Sequence, residues 1–268
     1  MASVIGLISN KFSEIVQNRD TRLDHLPFTS PSSLVLVLVS YVYFVKRYGP
    51  SYMGKREPFA LQTTIIIYNL IQIVLNSAYV LHTVHYWWTH KPYFNFACQP
   101  IDWGSNVLAI TEAKTVYYFH CLKLLDLCDT VFFVLKKNAR QISFLHVYHH
   151  VAVLTLSYRC LAWSPGGQFI IIGTVNSFVH AIMYTYYLFS VFEPQLKENV
   201  TIKRGVTTIQ MIQFLILITY FVGPLCNPDC PLFKPYVLEL ILQNVFLLYL
   251  FGNFYYRTYC VKKVQKCK

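Results

Sequence analysis

The chain has 268 residues, of which 55% are hydrophobic and 17% aromatic, while 13% carry charge, about half the charged fraction of soluble domains. That balance excludes a soluble globular domain and indicates a polytopic membrane protein built mostly of spanning helices. The net charge of +11 does not indicate nucleic-acid binding, because the basic residues stand in short clusters between apolar runs, as orientation signals and anion contacts.

Residues 1–31 read as a polar leader containing Lys11, Arg19 and Arg22, without the pattern of a cleavable signal peptide. A first span covers 34–45, short for a bilayer unless 28–33 extends it, and is closed by Lys46-Arg47 and Lys55-Arg56 in a Gly/Pro-containing loop. The second span is 63–88, followed by a loop over 89–112 with Pro92, Cys98, Pro100 and Gly104. The third is 113–135, and after a basic link the fourth runs from 142 to about 162. Pro165-Gly166-Gly167 marks a turn, 169–191 a fifth span, 193–204 a polar link, and 206–222 a sixth span. A loop over 226–233 leads to the seventh span, 236–256. The expected fold is therefore all-α, with seven transmembrane helices in one polytopic domain: leader 1–31, bundle 32–257 and basic tail 258–268. The tail contains Lys262, Lys263, Lys266 and Lys268. Basic residues concentrate in alternate connections, which puts the C-terminus in the cytosol and the N-terminus in the lumen, although the leader's own cations oppose this.

His146, His149 and His150 interrupt the fourth span at H-x-x-H-H spacing. On a helix they fall at i, i+3 and i+4 and share one face. One such histidine is usually a satisfied interior residue, whereas three on one face point to a metal or to nucleophilic chemistry. Other spans carry polar stripes: Lys123, Asp126, Asp129 and Thr130; Asn176, His180, Tyr184 and Tyr187; Thr207, Gln210 and Gln213. Helical rise puts His149, Asp129 and Gln210 roughly 12 Å from the basic side, and His180 and Gln213 roughly 16 Å. Four helices thus direct polar groups into one layer, where lipid would leave them unsatisfied.

At these residues the chain resembles the very-long-chain fatty acid elongase (ELO) family. Lys123-x-x-Asp126-x-x-Asp129-Thr130 is similar to that family's K-x-x-E-x-x-D-T, with Asp126 in place of the usual Glu. His146-x-x-His149-His150, Asn176-x-x-x-His180-x-x-Met183-Tyr184-x-Tyr186-Tyr187 and Thr207-x-x-Gln210-x-x-Gln213 follow in the family's order. The resemblance implies a six-helix barrel, formed by the last six helices around a closed substrate tunnel, in the endoplasmic reticulum membrane. It also implies condensation of a long-chain acyl-CoA with malonyl-CoA, with no cofactor beyond that co-substrate. Under this reading His149 accepts the acyl group, since histidine can form covalent intermediates. His180 orients it or stabilises the malonyl-derived enolate. His146 and His150 set tautomers or bind substrate, with Asp126 or Asp129 accepting a ring N–H. Asn176 and Gln210 are oxyanion donors. Lys136, Lys137, Lys203 and Arg204, with Gln141, Tyr186 and Thr207 nearby, would meet the CoA phosphates. Lys123, Tyr187 and Gln213 join the substrate-contacting set through the matched motifs.

Two other classes compete. A membrane di-iron desaturase or hydroxylase also carries H-x-x-H-H but needs further histidine boxes; His120 is a doubtful addition, and His82-x-x-His85 lies at the opposite face. A non-enzymatic receptor or transporter predicts no such polar layer. The eight cysteines form no C-x-x-C metal pattern, and Cys121, Cys128 and Cys160 read as packing thiols. Cys98 and Cys230 fall on the lumenal side and are expected to be bridged, with Cys226 the competing partner. A homodimer and association with other elongation-cycle enzymes are left open.

Overall fold

The computed structural model describes residues 19–91 and 94–261. Outside them lie most of the expected leader, including Lys11, the loop residue Pro92, and the end of the expected tail with Lys262, Lys263, Lys266 and Lys268. Every regular element among the described residues is helical. Seven helices carry the architecture: α1 Pro31–Tyr43, α2 Gln62–His90, α3 Val107–Leu135, α4 Phe144–Trp163, α5 Ile170–Phe192, α6 Val200–Cys226 and α7 Lys234–Tyr255. Four of them, α2, α5, α6 and α7, are long and apolar enough to cross a bilayer. α3 matches α2 in length but carries Glu112, Lys114, Lys123, Asp126 and Asp129.

Side chains that fill orphan backbone donors set the helix starts. Ser30, Asn106, Ser143 and Asn199 each accept from the amide three residues on. These caps correct the expected boundaries. Asn106 begins α3 at Val107, so residues 107–112 are helix and not loop. Asn199 begins α6 at Val200, taking 200–204 out of the expected link. Apolar runs mark the stretch that faces lipid or core and miss a polar first turn.

The Gly/Pro-containing loop expected after the first span begins later than expected, at Gly54, and runs to Leu61. The backbone stays helical from α1 through a π turn, Phe44–Tyr48, into a short helix, Gly49–Met53. The Gly49 N–H donates to Phe44 O. This wider turn makes room for the Pro50 ring, which would clash with a carbonyl four residues back in a regular helix. α7 likewise continues through a π turn, Tyr256–Val261, so 258–261 of the expected tail are helical.

α2 packs against α3 and α5, α3 against α4, α4 against α7, α7 against α6, and α6 against α5. The last six helices are therefore neighbours in a closed order, while α1 stands outside and touches α4. Gly173 lets α5 approach α2 and α3 closely, since a Cβ there would collide with Tyr79 and lie 3.0 Å from Phe119 Cγ.

The two ends differ. At one, which we call the disulfide end, Cys98 and Cys230 are bonded with their Cα atoms 5.8 Å apart. Leu23, Phe169, Phe221 and Tyr236 belong to the core cluster beneath them, and the Phe169 and Tyr236 rings stack at 5.3 Å. The segment before α1 is pinned here by Asp20 N to Ala162 O (2.7 Å) and by Arg22 to Gly104 O (2.6 Å). The expected turn after α4 is present: Gly166 and Gly167 have φ of 140° and 52°, which glycine adopts without strain. The Gly167 amide donates to buried Glu112 at 2.7 Å. The opposite end, between α3 and α4, holds the candidate site.

Candidate active site

The polar layer is built on α3, where Lys123, Asp126 and Thr130 lie at i, i+3 and i+7 and are all buried. Lys123 Nζ stands 2.6 Å from Asp126 Oδ2 and donates to Asn176 Oδ1 on α5, also at 2.6 Å. Charges buried this deeply need each other, because removing one partner leaves the other uncompensated at a cost of about 3–5 kcal/mol. The same Asp126 oxygen faces His180 Nδ1 at 3.4 Å. Its Oδ1 accepts from Gln72 Nε2 of α2 at 2.9 Å and lies 3.2 Å from the Tyr184 hydroxyl. That hydroxyl is nearer still, at 2.7 Å, to Asp129 Oδ2.

α4 brings the histidine box against this layer. His146 Nε2 is 2.8 Å from Thr130 Oγ1, which is itself 2.8 Å from the Tyr41 hydroxyl of α1. The His150 ring lies 4.4 Å from that of His146 and 5.7 Å from that of His149. His149 meets Phe251 of α7 at 5.8 Å between ring centres. Its Nδ1 is buried and has no hydrogen-bond partner among the described residues. Of the two carboxylates expected to accept a ring N–H, Asp126 faces a histidine, and that histidine is His180. Thr130 holds His146, and Asp129 is held by Tyr184. α3 and α4 run antiparallel through a short link, so the α3 residue level with His146 is Thr130, one turn closer to the link than Asp126.

Beside this layer lies a cavity of about 500 Å³, lined by Asp129, Lys136, Gln141, Tyr186, Tyr187 and Lys203 among others. All six were singled out in the sequence. The remaining binding candidates lie elsewhere. Lys137 has a φ of 54°, a left-handed helix end, and its ammonium turns to Gly54 O at 3.5 Å. Arg204 donates to the Tyr255 hydroxyl at 2.9 Å, outside the cavity lining. Lys123 is buried in its pairs with Asp126 and Asn176, outside this cavity's lining. Thr207 bonds back to Lys203 O at 3.0 Å, and Gln210 Nε2 meets Met183 Sδ at 3.3 Å. Gln213 and Asn176 line an internal gap of about 20 Å³ between Phe214, Leu217 and Leu247, room for a water and not for an acyl chain.

Sequence reasoning missed α2. Tyr68, Gln72 and Asn76 are buried, and Gln72 donates to both Tyr68 (2.8 Å) and Asp126. The signal was available, since Tyr68, Gln72, Asn76, Tyr79 and Thr83 recur at helical spacing along one face. Lys197, Gln62 and Asn69 of the cavity were missed too. Among the described residues no three His, Cys, Asp or Glu side chains are grouped to hold an ion. His120 is occupied with Ser157 (2.9 Å) and His82 with Thr115 (3.0 Å). Cys121, Cys128, Cys160 and Cys226 are free thiols.

A chain of helices long and apolar enough to cross a bilayer, with a buried Lys–Asp–His layer beside a cationic cavity, is a helical membrane protein with an internal polar site. Residues 26–267 match the ELO family, described as the GNS1/SUR4 family. The chain is 33% identical over 272 residues to very long chain fatty acid elongase 4 of Homo sapiens, covering 98% of this chain and 85% of that protein. It is 31% identical over 254 residues to very long chain fatty acid elongase 1 of Homo sapiens, covering 94% and 90%. A very long chain fatty acid elongase of Aedes aegypti is 32% identical over 267 residues, covering 99% and 74%. The chain belongs to the ELO family.

Proposed function

We propose that this protein is a condensing enzyme of fatty acid elongation, a very-long-chain 3-oxoacyl-CoA synthase. It joins a long-chain acyl-CoA to malonyl-CoA and releases CO2 and CoA through an acyl group held on His149. The observation that carries this reading is the buried Nδ1 of His149, which has no hydrogen-bond partner among the described residues; His180 Nδ1 also lacks one but faces Asp126 at 3.4 Å. A buried polar atom without a partner is costly and usually awaits a ligand. A neutral imidazole can attack a thioester without first losing a proton, whereas a buried thiol must ionise first. Lys136, Lys197 and Lys203 at the cavity bind the CoA phosphates. Asn176, whose oxygen is taken by Lys123, has its amide N–H groups left for a developing oxyanion. No metal takes part in this reading, and malonyl-CoA is the co-substrate.

All seven helices cross the endoplasmic reticulum membrane in one polytopic domain, with the N-terminus lumenal and the cavity end cytosolic. The closed neighbour order of α2 to α7 supports a barrel around the acyl chain. Its interior gap is small, so Phe214, Leu217 and Leu247 must swing aside to admit the chain. The test is incubation with acyl-CoA alone, followed by CoA release and intact mass. Stoichiometric release with an acyl mass shift, lost in His149→Ala and kept in His150→Ala, supports the assignment. An adduct that persists in His149→Ala overturns it.

A further inference from the structure

The Tyr184 hydroxyl spans two carboxylates of different surroundings. Asp126 lies in the buried cluster with Lys123, Gln72 and His180 around it. Asp129 lines the cavity. Tyr184 itself has no exposed surface, yet its oxygen is 2.7 Å from Asp129 Oδ2 and 3.2 Å from Asp126 Oδ1. Tyr68, which also borders the cavity, reaches the cluster through Gln72 and through the same hydroxyl, at 2.8 and 3.3 Å. A phenol carries one proton and can accept another as it gives up its own.

We propose that Tyr184 is the link in a proton path from Asp129 at the cavity to the buried Asp126–His180 pair. The proposal rests on the condensation reading above. That reaction takes up one proton overall, because an acyl thioester and a malonyl thioester carboxylate otherwise cannot yield a ketoacyl thioester, CO2 and a free thiol. In the first half, the His149 nitrogen bonds to the acyl carbon, the C–S bond breaks and the ring N–H proton goes to the sulfur, so no proton is gained or lost. In the second half, a C–C bond forms as CO2 leaves and the acyl C–N bond breaks. His149 then lacks a proton. Solvent in the cavity supplies it to Asp129, Tyr184 takes it while passing its own to Asp126, and His180 receives it at Nδ1 and returns a proton to His149. Tyr184 acts through the carboxylates and is a positioning residue, not a catalytic one.

The experiment uses the full-length protein as wild type, Tyr184→Phe and Asp129→Asn. Loading is followed as CoA released from acyl-CoA alone, and the second half as the chase of loaded enzyme by malonyl-CoA, in H2O and D2O. Loading within about twofold of wild type and a chase slowed about 10²-fold in both variants, with a larger solvent isotope effect, is the expected result. A chase at the wild-type rate overturns the path, and so does equal slowing of both halves, the mark of a merely structural role. Should Tyr184→Phe fail to fold, Asp129→Asn decides by the same outcomes. If wild type itself never loads, the acyl-histidine reading fails first, a result distinct from loss of the chase alone.

Discussion

The two ends of the helices are held together by different physics. At the disulfide end the connections are packed into an apolar cluster, cross-linked between Cys98 and Cys230, and the segment before α1 is tied over them. At the cavity end, helices meet through polar side chains: Gln72 from α2, Lys123, Asp126 and Asp129 from α3, His146 from α4, and Asn176, His180 and Tyr184 from α5. Apolar contact is non-directional and tolerates no space, while hydrogen-bonded pairs fix direction and can border a cavity. The protein thus has a sealed, cross-linked end and a polar end that borders a cavity.

Four changes break or sharpen that contrast. The largest effect is expected at the polar end. Lys123→Met strands the Asp126 carboxylate and should cost about 3–5 kcal/mol, with Lys123→Met/Asp126→Leu recovering much of the loss; thermal unfolding in detergent measures both. Next, Cys98→Ser opens a link across a separation of 132 residues and should cost about 2–4 kcal/mol. Unlike the Lys123 change, it should leave the kcat of the folded protein near wild type in an acyl-CoA and malonyl-CoA assay. Third, Lys136→Glu and Lys203→Glu, at the cavity, should raise the KM for acyl-CoA about tenfold, equivalent to about 1.4 kcal/mol. Lys137→Glu and Arg204→Glu, outside it, should leave KM almost unchanged. Equal effects from both pairs would mean that the cavity is not the CoA site.

The smallest effect concerns Asp102 in the loop before α3. Asn106 Nδ2 and the Gly104 amide donate to it at 2.7 and 2.8 Å, and these bonds, Asn106 first, hold its carboxyl below the ordinary aspartate value. A lowered folded-state value gives stability that is present above the unfolded value and is lost as pH falls through the folded one. Because the group is exposed, the contribution is small. Asp102→Ala should flatten the acid limb of a Tm profile taken from about pH 6 down to about pH 3. An unchanged limb would show that these bonds do not act as a clamp.

The helical class, four long apolar helices and the polar layer were legible in the sequence because membrane burial writes long apolar runs and makes each interruption conspicuous. The histidine spacing fixed one face of α4, and four ordered motifs pointed to the ELO family. Boundaries were less legible, since a cap such as Asn106 or a π turn before Pro50 depends on local backbone bonding that hydropathy does not register. The Cys98–Cys230 bridge was legible, but partnership within the polar layer was not. Residues 126 and 130 differ by one turn of α3, yet one faces His180 and the other His146. Lys136 and Lys137 are adjacent, yet a left-handed φ sends only the second away from the cavity. The sequence alone determined which side chains are too polar to face lipid. Only the packing of α2 to α5 decided which of them meet, because helix rotation and register turn a shared depth into a shared contact.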